Sequence, residues 1–118
     1  MKIGILVRED TMMKCTGKGC LNALLQRKDA FARYNEEIEL LTFTHTGGDL
    51  NRKIEKMLEA GIESIHLSSC LRAKSQEYET LTKTLSVNFT VVRYTHGSET
   101  GAKNSSLSIH DIKHDICD

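Results

Sequence analysis

Proline and tryptophan are absent from the 118 residues, and aromatic residues make up only 5%. The lack of proline has no physical account in the pattern. Other shortages exclude more. Neither sign of charge is in excess: 16 Lys and Arg balance 16 Asp and Glu, and the pI is near 7.0. Nothing therefore steers the chain towards nucleic acid or an anionic membrane, and neither is expected as a partner. Long apolar runs are missing too. Hydrophobic residues are 39% of the chain, and none of their runs nears the roughly 20 residues of a membrane span. The opening Met1-Lys2-Ile3-Gly4-Ile5-Leu6-Val7 turns charged at once; it is too short for a signal peptide and lacks a small-residue cleavage site. It reads as the first buried strand of a cytoplasmic protein. Four cysteines in a reducing compartment read as thiols or ligands, not as structural disulfides. At 13.3 kDa the chain is long enough for one domain with a single core.

What is present alternates between strand and helix. Lys2–Arg8 is a continuous apolar run of the kind buried on both faces of a sheet. A polar loop over Glu9–Gly19 carries Cys15, and a helix is expected over Cys20–Tyr34 with Leu21, Leu24, Leu25 and Phe31 on one stripe. A second strand, Ile38–Thr44, runs into Thr46-Gly47-Gly48-Asp49 and a helix over Asp49–Ala60, which Gly61 stops. Either Asp49 is the N-cap, or Thr46 caps with Asp49 three residues on. Both arrangements aim backbone N–H groups and a helix dipole at the mouth of a strand. A third strand, Ile62–Ser69, ends at Cys70; a helix over Ser75–Leu85 and a fourth strand, Phe89–Tyr94, follow. Such short connections imply a parallel sheet with helices on both faces. The expected fold is a small, Rossmann-like three-layer α/β/α domain with a four-stranded parallel sheet in the order 2-1-3-4. Leu6, Val7, Phe43, Ile65, Leu67 and Val91 should lie in its interior.

Ligands of such sheets sit beyond the carboxyl ends of the strands. Cys15 and Cys20 follow the first strand, Gly47-Gly48 the second, Cys70 the third and His96 the fourth. Three thiols and an imidazole suit zinc or another thiophilic transition metal. Taken singly, each residue has a plainer reading: a buried cysteine is a small hydrophobe, and a histidine before glycine is a loop residue. Their coincidence at one edge makes Cys15, Cys20, Cys70 and His96 the candidate site, with Gly47-Gly48 as its wall. His45 could reach the same cleft, whereas His66, between Ile65 and Leu67, reads as a core histidine bonded to a neighbour.

At these residues the chain resembles the CGGC-domain family, small proteins proposed to bind metal through cysteine and histidine. The resemblance covers about residues 2–97 and rests on Lys2–Val7, Cys15-x4-Cys20, Glu39-Leu40, Gly47-Gly48, Ser69-Cys70 and Thr95-His96-Gly97. It departs at the family's namesake, where Cys-Gly-Gly-Cys is replaced by Thr46-Gly47-Gly48-Asp49. The resemblance implies Cys15, Cys20, Cys70 and His96 as metal ligands, with Asp49 as an oxygen ligand at the rim. A metal or cluster needing both lost thiols cannot be held here in the same way.

Two readings compete with metal binding. In one, Cys15 and Cys20, or either with Cys70, form a reversible disulfide, helped by helix N-termini that lower thiol pKa values. In the other, Gly47, Gly48 and the following helix N-terminus hold a small anion. A tyrosine-phosphatase-like loop is rejected, because Gln76 stands where the arginine six residues after Cys70 should be.

Residues 1–97 form the expected α/β domain, and 98–118 a polar linker and tail. On a helix, Ile109, Ile112 and Ile116 of the tail would share one stripe and His110, His114 and Cys117 another. The second stripe has chelating geometry, but an amphipathic segment docking its isoleucines is the plainer reading. Deleting residues 98–118 should leave a domain that unfolds cooperatively. Loss of a cooperative urea transition in the truncated chain would place those isoleucines in the core instead.

Overall fold

The structure, a computed structural model, describes residues 1–100. Strands β1 (Lys2–Val7), β2 (Glu39–His45), β3 (Ser64–Leu67) and β4 (Thr90–Val92) form one sheet in the order β2-β1-β3-β4. Every neighbouring pair is parallel, so all four carboxyl ends lie at one edge, as the short alternation of elements requires. The connecting elements are α1 (Glu9–Met12), α2 (Lys18–Leu25), a 3-10 helix (Asp29–Arg33), α3 (Leu50–Glu59), α4 (Ser69–Lys74) and α5 (Tyr78–Ser86). No described helix is long and apolar enough to cross a membrane.

The period-2 alternation of a strand divides the core. Ile3, Ile5 and Val7 pack with Cys20 and Ala23 of α2 and with Ala30 and Phe31 of the 3-10 helix. Leu6 points the other way and joins Ile65 and Leu67, together with Met57 of α3, Leu71 of α4 and Leu81 and Leu85 of α5. Helices therefore cover both faces of the sheet. Central strands β1 and β3 are buried throughout except at Lys2, whereas Phe43 and Val91, on the outer strands, are only partly buried. Glycine at position 4 has a packing reason: a Cβ there would stand 3.1 Å from Ile65 Cδ1 and 3.3 Å from Thr42 Cβ.

Three elements depart from expectation, each for a local reason. The helix expected over 20–34 breaks after Leu25, because Arg27 and Asp29 take φ values of 52° and 53°. These are left-handed conformations that a helix cannot propagate through. The third strand stops at Leu67, not at Ser69, because the Ser68 hydroxyl accepts from Leu71 N (3.3 Å) and starts α4. Cys70 accordingly lies in a helical first turn. The loop expected over Glu9–Gly19 contains α1, and Asp49, not Thr46, caps α3 by accepting from Arg52 N at 3.1 Å. All but the first three residues of the 98–118 tail, including the stripes of Ile109, Ile112 and Ile116 and of His110, His114 and Cys117, lie outside the described residues.

His66 on β3 is fully buried and stacks on Phe31 with ring centroids 4.2 Å apart. Its Nδ1 lies 3.2 Å from Tyr94 O, and its Nε2 lies 2.7 Å from the Tyr34 hydroxyl. A carbonyl can only accept, so Nδ1 carries the proton and Nε2 accepts from Tyr34. This is the core histidine that the sequence suggested. Burial pushes its pKa down to about 4; the Tyr94 carbonyl opposes that shift, and the charge of Arg33 adds to it. A folded-state pKa below the unfolded value of about 6.5 means that the unfolded chain binds the proton more tightly. The stability it contributes is complete above about pH 6.5 and declines as the pH falls towards 4. From pH 7 to 4 the chain should lose on the order of 3 kcal/mol more than a His66→Gln variant loses. Identical pH slopes in urea unfolding would contradict this.

Candidate functional site

The candidate residues at the carboxyl edge of the sheet come from three segments, which follow β1, β3 and β4. Cys15 lies between α1 and α2, and Cys20 is in the first turn of α2. Ser68-Ser69-Cys70 leads from β3 into α4, and Thr95-His96-Gly97 follows β4. All three thiols are buried: Cys15 is 8% exposed, Cys20 1% and Cys70 0%.

A clasp of two hydroxyl side chains ties these segments together. Ser69 Oγ donates to His96 O at 2.6 Å and accepts from the backbone N–H groups of Thr95 (3.3 Å) and His96 (3.2 Å). In return, Thr95 Oγ1 accepts from Ser69 N at 3.3 Å and lies 3.1 Å from Cys20 Sγ. Both residues are buried, so the clasp satisfies backbone groups that would otherwise be costly to bury. Asp29 ties the same loop from outside, its carboxylate accepting from Gly97 N at 3.1 Å. The left-handed turn at Asp29 thus serves the site as well as ending the helix.

Each sulfur has a near partner. Cys20 has Thr95; Cys70 Sγ lies 2.8 Å from Ser68 Oγ; and Cys15 Sγ accepts from Gly17 N at 3.3 Å. Cys15 and Cys70 also pack together, with Met12 against them. Burial pushes the Cys20 thiol up to about 11; the Thr95 hydrogen bond opposes the rise, and Cys70 and Cys15 add to it. Cys20 is therefore a thiol at neutral pH, despite sitting in a first helical turn.

His96 is half-buried, yet its Nε2 is shielded from water and has no hydrogen-bond partner among the described residues. The ring rests over Gly19 of α2, where a Cβ would stand 2.9 Å from Nε2. Burial lowers its pKa, and Arg72 and Lys28 lower it further against the opposing charge of Asp29. The imidazole is thus held neutral, the form that ligates metal.

The Thr46-Gly47-Gly48-Asp49 turn is built differently. Gly48 takes φ +70°, which favours glycine. Lys53 Nζ donates to His45 O (2.7 Å) and Gly47 O (2.9 Å), and Gly47 N donates to His45 Nδ1 (3.0 Å). The nearest side chains to Gly47 are Glu9 and His45, and the nearest to Gly48 is Lys53. Asp49 already places a carboxylate at the α3 N-terminus, where an added anion would meet its charge. It lines a cleft with Leu41, Thr42, Thr44, Arg52 and Lys53.

The structure thus gathers Cys15, Cys20, Cys70 and His96 at one edge, while Asp49 caps α3 through one carboxylate oxygen, Oδ1. Among the described residues, no group of three or more His, Cys, Asp or Glu side chains is arranged to hold a metal ion. Sequence reasoning took Ser69 and Thr95 only as part of the family pattern and missed Ser68 and Asp29, so the role of all four in positioning the site came from the structure. Ser-Ser before Cys70 was the available signal, since serine before a helix is an N-cap pattern.

The CGGC-domain model matches residues 2–96, and the chain belongs to that family. Neither a curated protein nor a solved structure matches it.

The contact of His96 with Gly19 can be tested by a double-mutant cycle. Alanine in place of a helical glycine ordinarily adds about 1 kcal/mol. Gly19→Ala should add none in the natural chain, where the imidazole occupies the space. The full gain should return in a His96→Ala background. Equal effects in both backgrounds would contradict the contact.

Proposed function

We propose that this member of the CGGC-domain family binds a thiophilic metal ion, zinc or a similar transition metal, through Cys15, Cys20, Cys70 and His96. The observation that carries the reading is the buried Nε2 of His96, which has no hydrogen-bond partner among the described residues and lies at the same edge as three buried thiols. Soft sulfur and imidazole donors match zinc in chemistry. Thiolate ligation requires Cys20 and Cys70 to lose their protons, after which the Thr95 and Ser68 hydroxyls beside them can donate to sulfur. The hydroxyl partners would then remain to orient the thiolates. Thr46 and Asp49, standing where the family carries cysteines, reduce the number of soft donors, so affinity is modest and occupancy partial.

The packing of Cys15 against Cys70 favours a second reading, a thiol pair that oxidises reversibly to a disulfide. The pair would give up two protons and two electrons to a disulfide acceptor.

Full-length chain without a His-tag, purified without chelator and dialysed against zinc, should retain up to one equivalent by elemental analysis. Cys20→Ser and His96→Ala should each lower retention at least tenfold. Equal zinc in all three proteins would overturn the metal reading. Thiol titration before and after reductant tests the alternative: a gain of two thiols on reduction that is lost in both Cys15→Ser and Cys70→Ser supports a Cys15–Cys70 pair, and an unchanged count in the natural chain opposes it.

A further inference from the structure

Beside β4 lies a cleft of about 260 Å3 lined chiefly by Arg33, Arg72, Tyr78, Arg93, Tyr94 and Glu99. Three guanidiniums face one carboxylate, which leaves the lining with a net charge of two positive. Arg93 is provided for: its Nε donates to the Tyr78 hydroxyl at 3.1 Å, and it pairs with Glu79. Arg72 is not. It is only 4% exposed, its Nη1 donates to Glu99 O at 3.1 Å, and its Nε has no partner among the described residues. Arg33 donates Nε to Ala30 O at 2.8 Å. Among the described residues, neither Arg33 nor Arg72 is ion-paired to a carboxylate. Their guanidinium carbons lie 5.9 Å and 5.3 Å from the centroid of the same ring, Tyr94.

A guanidinium does not shed its proton, so Arg72 is a buried charge with a shielded, unused donor. Such a charge is costly unless an opposite charge joins it. We infer that the cleft binds a phosphate group, as free phosphate or as the head of a monoester. Planar guanidiniums match phosphate oxygens with paired hydrogen bonds. With Arg93 met by Glu79, Arg33 and Arg72 against Glu99 leave one positive charge uncompensated, and a monoester, at about −1.5 to −2 near neutral pH, supplies the opposite charge. The volume is below the roughly 300–1,000 Å3 of pockets that enclose a drug-sized ligand, so the cleft suits a headgroup. Arg72 stands two residues after Cys70 on α4 and its charge is felt at His96, but the cleft uses none of the thiols and the inference does not rest on metal binding.

The test is thermal unfolding of the full chain with increasing inorganic phosphate, against sodium chloride at matched ionic strength. Arg72→Gln can fail to fold because Arg72 is buried; Arg33 is exposed, so Arg33→Gln is the informative variant. The unfolding midpoint should rise saturably with phosphate and not with chloride. Half-saturation for Arg33→Gln should need about tenfold more phosphate or beyond, the loss of one charged hydrogen-bond donor. A midpoint that phosphate does not raise above chloride, or a response the same in Arg33→Gln as in the natural chain, would overturn the inference.

Discussion

The carboxyl edge depends on the reciprocal clasp of Ser69 and Thr95. Its bonds join the first turn of α4 to the end of β4, two segments that the parallel sheet brings together but does not itself connect. The consequences run outward from it. Cys70 follows Ser69 directly, His96 follows Thr95, and Cys20 leans on the Thr95 hydroxyl. Three cross-sheet positions are set by one pair of short side chains that have few rotamers to lose. A parallel sheet supplies convergence of its strand ends; the clasp turns convergence into a defined arrangement.

That arrangement is dry, and dryness sets the chemistry. A thiol near a helix N-terminus would ordinarily lean towards thiolate. Burial outweighs this at Cys20, whose pKa rises to about 11. A nucleophile for redox exchange would need the reverse balance. A metal ligand does not, because the cation itself supplies the charge that removes the proton. The imidazole of His96, whose Nε2 has no partner among the described residues, fits the same logic. Glycine at position 19 leaves room for the ring, since a Cβ there would stand 2.9 Å from the buried Nε2.

Much of this was legible in the sequence. The continuous apolar run of β1 announced a strand buried on both faces, and the short connections between alternating strands and helices implied a parallel sheet with a shared edge. His66 could be read as a core residue from the apolar residues on either side. What was not legible depends on single local interactions. Ser68 capping α4 ended β3 early, and positive φ at Arg27 and Asp29 broke a helix whose apolar stripe runs on regardless. Periodicity reports burial, not the point at which one hydroxyl diverts the backbone. Asp49 shows the same limit: the sequence offered either Thr46 or Asp49 as the cap of α3, and only the Arg52 N–H decides for Asp49. The arginine cleft was equally hidden, since Arg33, Arg72 and Arg93 are brought together only by the fold.

The central claim is that three thiols and one imidazole act as one ligand set. X-ray absorption at the zinc edge, on the full chain loaded with zinc, tests it most directly. A single site of this kind predicts scattering dominated by sulfur at about 2.3 Å, with a nitrogen shell at about 2.0–2.1 Å. The nitrogen shell should lose its imidazole signature in His96→Ala. A spectrum made up of oxygen and nitrogen shells alone would contradict it, because the bound ion would then be held away from Cys15, Cys20 and Cys70.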